Sequence, residues 1–183
     1  MARKIISLFL AGACSWSHTA FGQTATGLHN PSLVAAYGHD YWALERVATR
    51  MRRARTVTLY LVSPHFWPMR ALDEGRLKQA ACEYTTTDAA LIASLADVVE
   101  DAHLHSATTW ISIEPREAIY LTLGGGSEIR LLFDRAYQNQ PELAGSVDGQ
   151  VVMVRSSFVE MLYRWAAKLN SLGTCEHFLD KYR

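Results

Sequence analysis

The chain has 183 residues, 49% of them hydrophobic, and its 18 basic residues balance 18 acidic residues. Because nucleic-acid binding requires a strongly basic surface, we expect no nucleic-acid partner. The apolar runs also fall short of the roughly 20 residues that a membrane-spanning helix requires. The composition therefore favours an ordinary globular domain.

Residues 1–22 have the three-part pattern of a secretory signal peptide. Arg3 and Lys4 form a basic start, residues 5–13 are apolar, and a polar stretch ends in the small-x-small triplet Ala20-Phe21-Gly22. Cleavage after this triplet predicts a mature chain of about 161 residues. We therefore expect a periplasmic or secreted protein.

Cys14 offers an alternative to simple cleavage. It follows Leu10-Ala11-Gly12-Ala13, which resembles a bacterial lipobox, although Leu10 lies four residues before the cysteine instead of the usual three. Lipidation at Cys14 would anchor the protein to the outer membrane. This anchor is the one membrane contact that we expect.

The two cysteines after the signal peptide, Cys82 and Cys175, predict a disulfide. In an oxidising compartment, two remaining thiols are expected to pair. The bridge would close a loop of roughly 94 residues and stabilise the fold by several kcal/mol in the chain-entropy account. It would also hold the C-terminal tail on the body of the domain.

The remaining sequence predicts a loose leader over residues 23–38 and a single domain over residues 39–183. Within this domain, apolar residues recur at helical spacing or alternate at strand spacing. Gly124–Gly126 separates two alternating segments and so predicts a hairpin turn, because a phosphate-binding loop would instead open a helix. The predicted helices cover 39–53, 91–102 and 157–170, and the last begins with a capping box of Ser157 and Glu160. The predicted strands cover 56–62, 76–84, 118–123, 128–133 and 150–154. Residues 63–70 are predicted to form a loop.

This order of elements predicts a two-layer α+β fold. Several strands have one apolar face and one mixed face, which suits an antiparallel or mixed sheet with helices packed mainly on one face. The hairpin is segregated from the helices, and this argues against a doubly wound parallel sheet.

Three histidines are the main candidates for chemistry. His103 and His105 are the close pair, but two-residue spacing alone is a weak metal signal and no further ligands can be named. His65 lies in an aromatic loop that could line a groove. We expect no metal, cofactor or catalytic constellation, and we interpret Glu114, Arg116 and Glu117 as solvated charges at the end of a strand.

Aromatic residues near turns and helix starts suggest a protein-binding surface. Tyr41, Trp42, Phe66 and Trp67 are the candidates, because aromatic side chains bury a large area at low entropic cost. The favoured hypothesis is a non-enzymatic envelope protein that binds another protein, such as a periplasmic immunity or inhibitor protein. The alternatives are a small periplasmic hydrolase that uses His65, His103 or His105 with nearby carboxylates, and a structural envelope subunit.

Overall fold

The computed structural model describes residues 46–109, 111–137, 139–169 and 179–183. All of them belong to the larger of two units into which the chain divides, Ser32–Arg183. The predicted signal peptide and leader lie outside the described residues, and so do Cys14, Tyr41, Trp42 and Cys175. The predictions about those residues stay predictions.

Seven strands form one antiparallel sheet with the order β2-β1-β4-β5-β6-β7-β3. Each neighbouring pair runs in opposite directions, so the predicted α+β class with an antiparallel sheet is confirmed. The strands are β1 Ala54–Leu61, β2 Cys82–Thr86, β3 His105–Ser106, β4 Glu117–Leu123, β5 Glu128–Phe133, β6 Glu142–Val147 and β7 Gln150–Arg155.

The helices of the described residues lie mainly on one face of this sheet. Three of them contribute to the larger core, while one packs with a smaller apolar cluster on the other face. The helices are α1 Val47–Met51, α2 Glu74–Ala80, α3 Ala89–Asp101 and α4 Ser157–Ala166, and α2 is the one on the second face; a short 3-10 helix covers Asp180–Tyr182. Among the described residues, no helix has the length and apolar character needed to cross a membrane.

The larger core joins alternate strand residues to α1, α3 and α4. Along β4, Ile119 and Leu121 are fully buried on the helical face, because successive strand side chains point to opposite sides. Trp165 of α4 is only 1% exposed, and its indole Nε1 donates to the Leu91 carbonyl at 3.0 Å and to Ser94 Oγ at 2.9 Å. The core therefore buries this large ring without leaving its polar atom unpaired.

The predicted glycine hairpin is confirmed. Strands β4 and β5 pair in register with Leu121 opposite Ile129. Gly125 and Gly126 have φ values of 86° and 82°, a left-handed conformation that glycine adopts without steric cost. The predicted helix after Asp88 is confirmed as well, since the Asp88 carboxylate accepts from the Ala90 and Leu91 amides at its start.

Two predictions of local structure are wrong, and one strand was missed. The predicted strand 76–84 is largely helix α2, because Asp73 caps it by accepting from the Arg76 amide at 2.8 Å; the strand begins only at Cys82. Strand β6 was not predicted. The Ser157 capping box does not form, since Ser156 occupies the N-cap position without a side-chain cap and Glu160 pairs with Arg164.

Candidate functional site

A pocket of about 770 Å³ lies at one end of the sheet. Its lining comes from the segment after β1, the start of β4, the segment after β5, the first turns of α4 and Tyr182 of the 3-10 helix. Both β1 and β5 are antiparallel to β4, so the ends of these two strands lie beside its start. Antiparallel pairing therefore brings together segments that are distant in sequence.

Glu117 is the most unusual lining residue, since this carboxyl group is only 3% exposed. It occupies the same face of β4 as Ile119 and Leu121, which aims it toward the helices. The Tyr163 hydroxyl of α4 lies within hydrogen-bond distance of Glu117 Oε1, at 2.6 Å, whereas Glu117 Oε2 is buried without a hydrogen-bond partner among the described residues. Burial raises the pKa of Glu117 to about 8, so the carboxyl group is mostly neutral at pH 7.

The contacts of Tyr163 fit a neutral Glu117. The Tyr163 hydroxyl oxygen lies 2.6 Å from Glu117 Oε1 and 3.2 Å from the Val62 carbonyl oxygen, and it carries one proton. If Glu117 holds its proton on Oε1, the carboxyl group donates to the tyrosine oxygen while the tyrosine donates to Val62. An ionised Glu117 would take the only tyrosine proton and leave the Val62 contact without one.

Arg116 connects the start of β4 to the aromatic loop. It is 7% exposed, and it donates to Glu114 Oε1 at 2.8 Å and to the Phe66 carbonyl at 3.3 Å. Its Nε is buried without a hydrogen-bond partner in the described part of the chain. The interpretation of Arg116 and Glu117 as solvated charges is therefore wrong, because both are packed into the end of the sheet.

Three exposed aromatic residues, Phe66, Trp67 and Tyr137, line the mouth of the pocket; we call them the aromatic rim. Trp67 is 73% exposed and Tyr137 is 53% exposed. The guanidinium of Arg135 lies 3.7 Å from the Trp67 ring centroid and 5.9 Å from that of Tyr137. Arg135 also donates to the Pro64 carbonyl at 3.3 Å, so it holds the two sides of the rim together.

The candidate histidines lie in two places. His65 lines the pocket beside Phe66. His103 follows α3 with a positive φ of 52°, and His105 in β3 places its Nε2 3.7 Å from Glu142 Oε1. The described residues hold no cluster of three histidine, cysteine, aspartate or glutamate side chains with metal-binding geometry. The pocket thus contains one candidate histidine and not two.

Cys82 begins β2 and is disulfide-bonded. The strand lies at one edge of the sheet and pairs with β1, with Cys82 opposite Leu61. Cys175 lies outside the described residues, so its pairing with Cys82 stays a prediction.

Comparisons of the chain with protein-family models, curated proteins and solved structures found no significant match. The pocket itself is therefore the basis for a functional proposal. Its aromatic loop was recognisable from sequence, whereas Glu117 was interpreted as a solvated charge and Arg135 and Tyr163 were not singled out. One signal was available for Glu117, because it continues the alternation of Ile119 and Leu121 and so falls at an inward position.

Proposed function

We propose that the chain is an exported, non-enzymatic protein that binds another protein at the aromatic rim. The observation that carries this proposal is the concentration of exposed apolar side chains at one place. Among the described residues, four large hydrophobic side chains are exposed, and three of them are the rim residues.

An exposed aromatic cluster beside a pocket is typical of an interaction site. Scattered apolar residues are common on protein surfaces, but adjacent aromatic residues with an arginine are typical of interface hot spots. Arg135 also connects parts of the rim, since it lies over the Trp67 ring and donates to the Pro64 carbonyl. Contacts that hold a binding surface together before association lower its entropic cost.

The expected location supports the same interpretation. The signal-peptide pattern favours export, and the disulfide-bonded Cys82 suits an oxidising compartment. A periplasmic immunity or inhibitor protein is one concrete form of this proposal. Lipidation at Cys14 would place the same binding domain on the outer membrane.

The test is quantitative capture of partners from periplasmic extract, followed by titration of each identified protein. The wild type is compared with the double variant Trp67→Ala and Tyr137→Ala. Met69→Ala is the matched control, because Met69 is fully exposed but does not line the pocket. We expect at least tenfold weaker binding for the double variant and unchanged binding for the control. Equal binding by all three proteins would contradict the proposal.

A small hydrolase is the second candidate, because His65 and the neutral carboxyl group of Glu117 line the same pocket. A buried acid with a pKa near 8 could donate a proton to a leaving group. Screening the wild type and Glu117→Gln against ester, peptide and glycoside substrates tests this candidate. Turnover that is lost in Glu117→Gln would favour it over the binding protein.

A further inference from the structure

We propose that the pocket behind the aromatic rim binds a carboxylate group attached to an apolar side chain, as found at the C-terminus of a polypeptide. This inference rests on the proposed function and specifies the part of the partner that enters the pocket. It is carried by the charges that line the pocket and by the way each of them is paired.

Arg135 is the lining arginine that has no carboxylate partner among the described residues, whereas Arg116 is paired with Glu114 at 2.8 Å. Arg116 and Arg135 both contribute guanidinium groups. Of the two lining carboxyl groups, Glu160 is paired with Arg164 at 2.7 Å, and Glu117 is buried beside the Tyr163 hydroxyl. The first turns of α4 add the positive end of a ten-residue helix. An anion is therefore the complementary ligand.

Arg135 is the group best placed to meet this anion. It forms no ion pair with a carboxylate among the described residues, and its one side-chain hydrogen bond there is to Pro64. The Arg135 guanidinium is held over the Trp67 ring, with its central carbon 3.7 Å from the ring centroid, and the planar fork of a guanidinium recognises the two oxygens of a carboxylate. Phe66 and Tyr137 provide the adjacent apolar surface.

A cationic ligand is disfavoured at the same place. Aromatic clusters can bind an ammonium group by their ring faces, but Arg135 already covers a face of Trp67 at 3.7 Å. A second cation would also be repelled by the guanidinium of Arg135 itself. The aromatic rim therefore serves the apolar part of the ligand.

The first experiment titrates the purified, oxidised protein with N-acetylphenylalanine and with its amide, which differ only in the carboxylate. Inorganic phosphate tests a simple anion, and acetyl-Ala-Ala-Phe tests a polypeptide end. We expect the acid to bind at least tenfold more tightly than the amide, because a charge-assisted hydrogen bond is lost in the amide. We also expect the tripeptide to bind more tightly than the single amino acid.

Arg135→Gln should abolish the preference for the acid over the amide, and Arg135→Lys should retain part of it. Arg53→Gln is the matched control, because it removes the same charge from an exposed residue that does not line the pocket. Equal melting temperatures would show that the variants are folded. The Lys variant keeps the test interpretable if the Gln variant is unstable.

Several results would overturn the inference. These are equal binding of acid and amide, no binding of either, displacement of the acid by an equal concentration of phosphate, or an equal loss in Arg53→Gln. Weaker binding of the tripeptide than of N-acetylphenylalanine would exclude a polypeptide end. Partner binding that needs Trp67 and Tyr137 but is unaffected by Arg135→Gln would remove this inference and leave the proposed function standing.

Discussion

Two tryptophans illustrate the difference between the core and the pocket end of this domain. Trp165 of α4 is buried against α3, and its Nε1 is hydrogen-bonded there. Trp67 is largely exposed, and the guanidinium of Arg135 lies over one face of its ring. The core satisfies its polar atoms. The pocket end instead leaves Glu117 Oε2 and Arg116 Nε buried without partners among the described residues. Buried polar atoms without partners lower stability, so the pocket end carries an energetic cost that the core does not.

The largest expected effect is on the core. Trp165→Ala should destabilise the fold by about 3–5 kcal/mol, because it leaves a cavity and removes two hydrogen bonds. Chemical denaturation at pH 7 measures the change. Its counterpart Trp67→Ala should change the free energy of unfolding by less than about 0.5 kcal/mol, as expected for an exposed side chain. Similar losses of unfolding free energy in the two variants would contradict the distinction between the core and the pocket end.

Removal of the disulfide at Cys82 should give the next largest loss of stability. Cys82→Ser should lower the free energy of unfolding by about 2–5 kcal/mol, since the unfolded chain loses a long-range constraint. Reductant should lower the melting temperature of the wild type but not that of the variant. Peptide mapping of the oxidised protein identifies the partner, and a bridge to a residue other than Cys175 would refute the predicted pair.

Tyr163→Phe should destabilise the domain by about 1–3 kcal/mol, because Glu117 then loses the hydrogen bond of its Oε1. The same change in a Glu117→Gln background should cost less. A double-mutant cycle from denaturation curves measures the coupling between the two side chains. Additive effects would show that the 2.6 Å contact contributes nothing to stability.

Glu117 also predicts a pH dependence of stability. Its pKa is near 8 in the folded protein and near its ordinary value in the unfolded chain, so the folded state retains a proton that the unfolded state releases between about pH 5 and 8. Stability should therefore fall with rising pH across this range, by at most about 1.4 kcal/mol per pH unit. The electrostatic environment of the Glu117 carboxyl group is set by Tyr163, Arg116, Asp134 and Arg135.

Glu117→Gln should flatten this dependence. The variant and the wild type should be similar near pH 5, and the variant should become relatively more stable toward pH 8.5. Denaturant midpoints across this range give the comparison. A constant difference between the two proteins would mean that Glu117 titrates with an ordinary pKa.

The sequence predicted the regular parts of the domain better than its pocket. The β4–β5 hairpin and helix α3 were recognisable because their apolar periods and turn residues agree. Helix α2 was mistaken for a strand, since its short apolar pattern is ambiguous and Asp73 decides the outcome by capping. Strand β6 was missed partly because it contains Gly145, and glycine weakens strand propensity. The structure explains this glycine, since a Cβ atom there would lie 2.7 Å from the Phe133 ring on the neighbouring strand.

The pocket was predicted only in part, because most of its side chains come from segments that are distant in sequence. Phe66 and Trp67 are adjacent in sequence and were visible as an aromatic loop. Glu117 and Tyr163 are 46 residues apart and meet only when α4 packs across the sheet. Likewise, Arg135 reaches Trp67 only because the segments after β1 and β5 lie at the same end.

The most direct test of the account is a paired measurement on the double variant Trp67→Ala and Tyr137→Ala. Its affinity for an identified partner and its free energy of unfolding are measured under the same conditions. The account predicts an affinity at least tenfold weaker than that of the wild type, with stability changed by less than about 1 kcal/mol for the two exposed sites. Full affinity in a folded variant, or a loss of stability as large as that of Trp165→Ala, would contradict it.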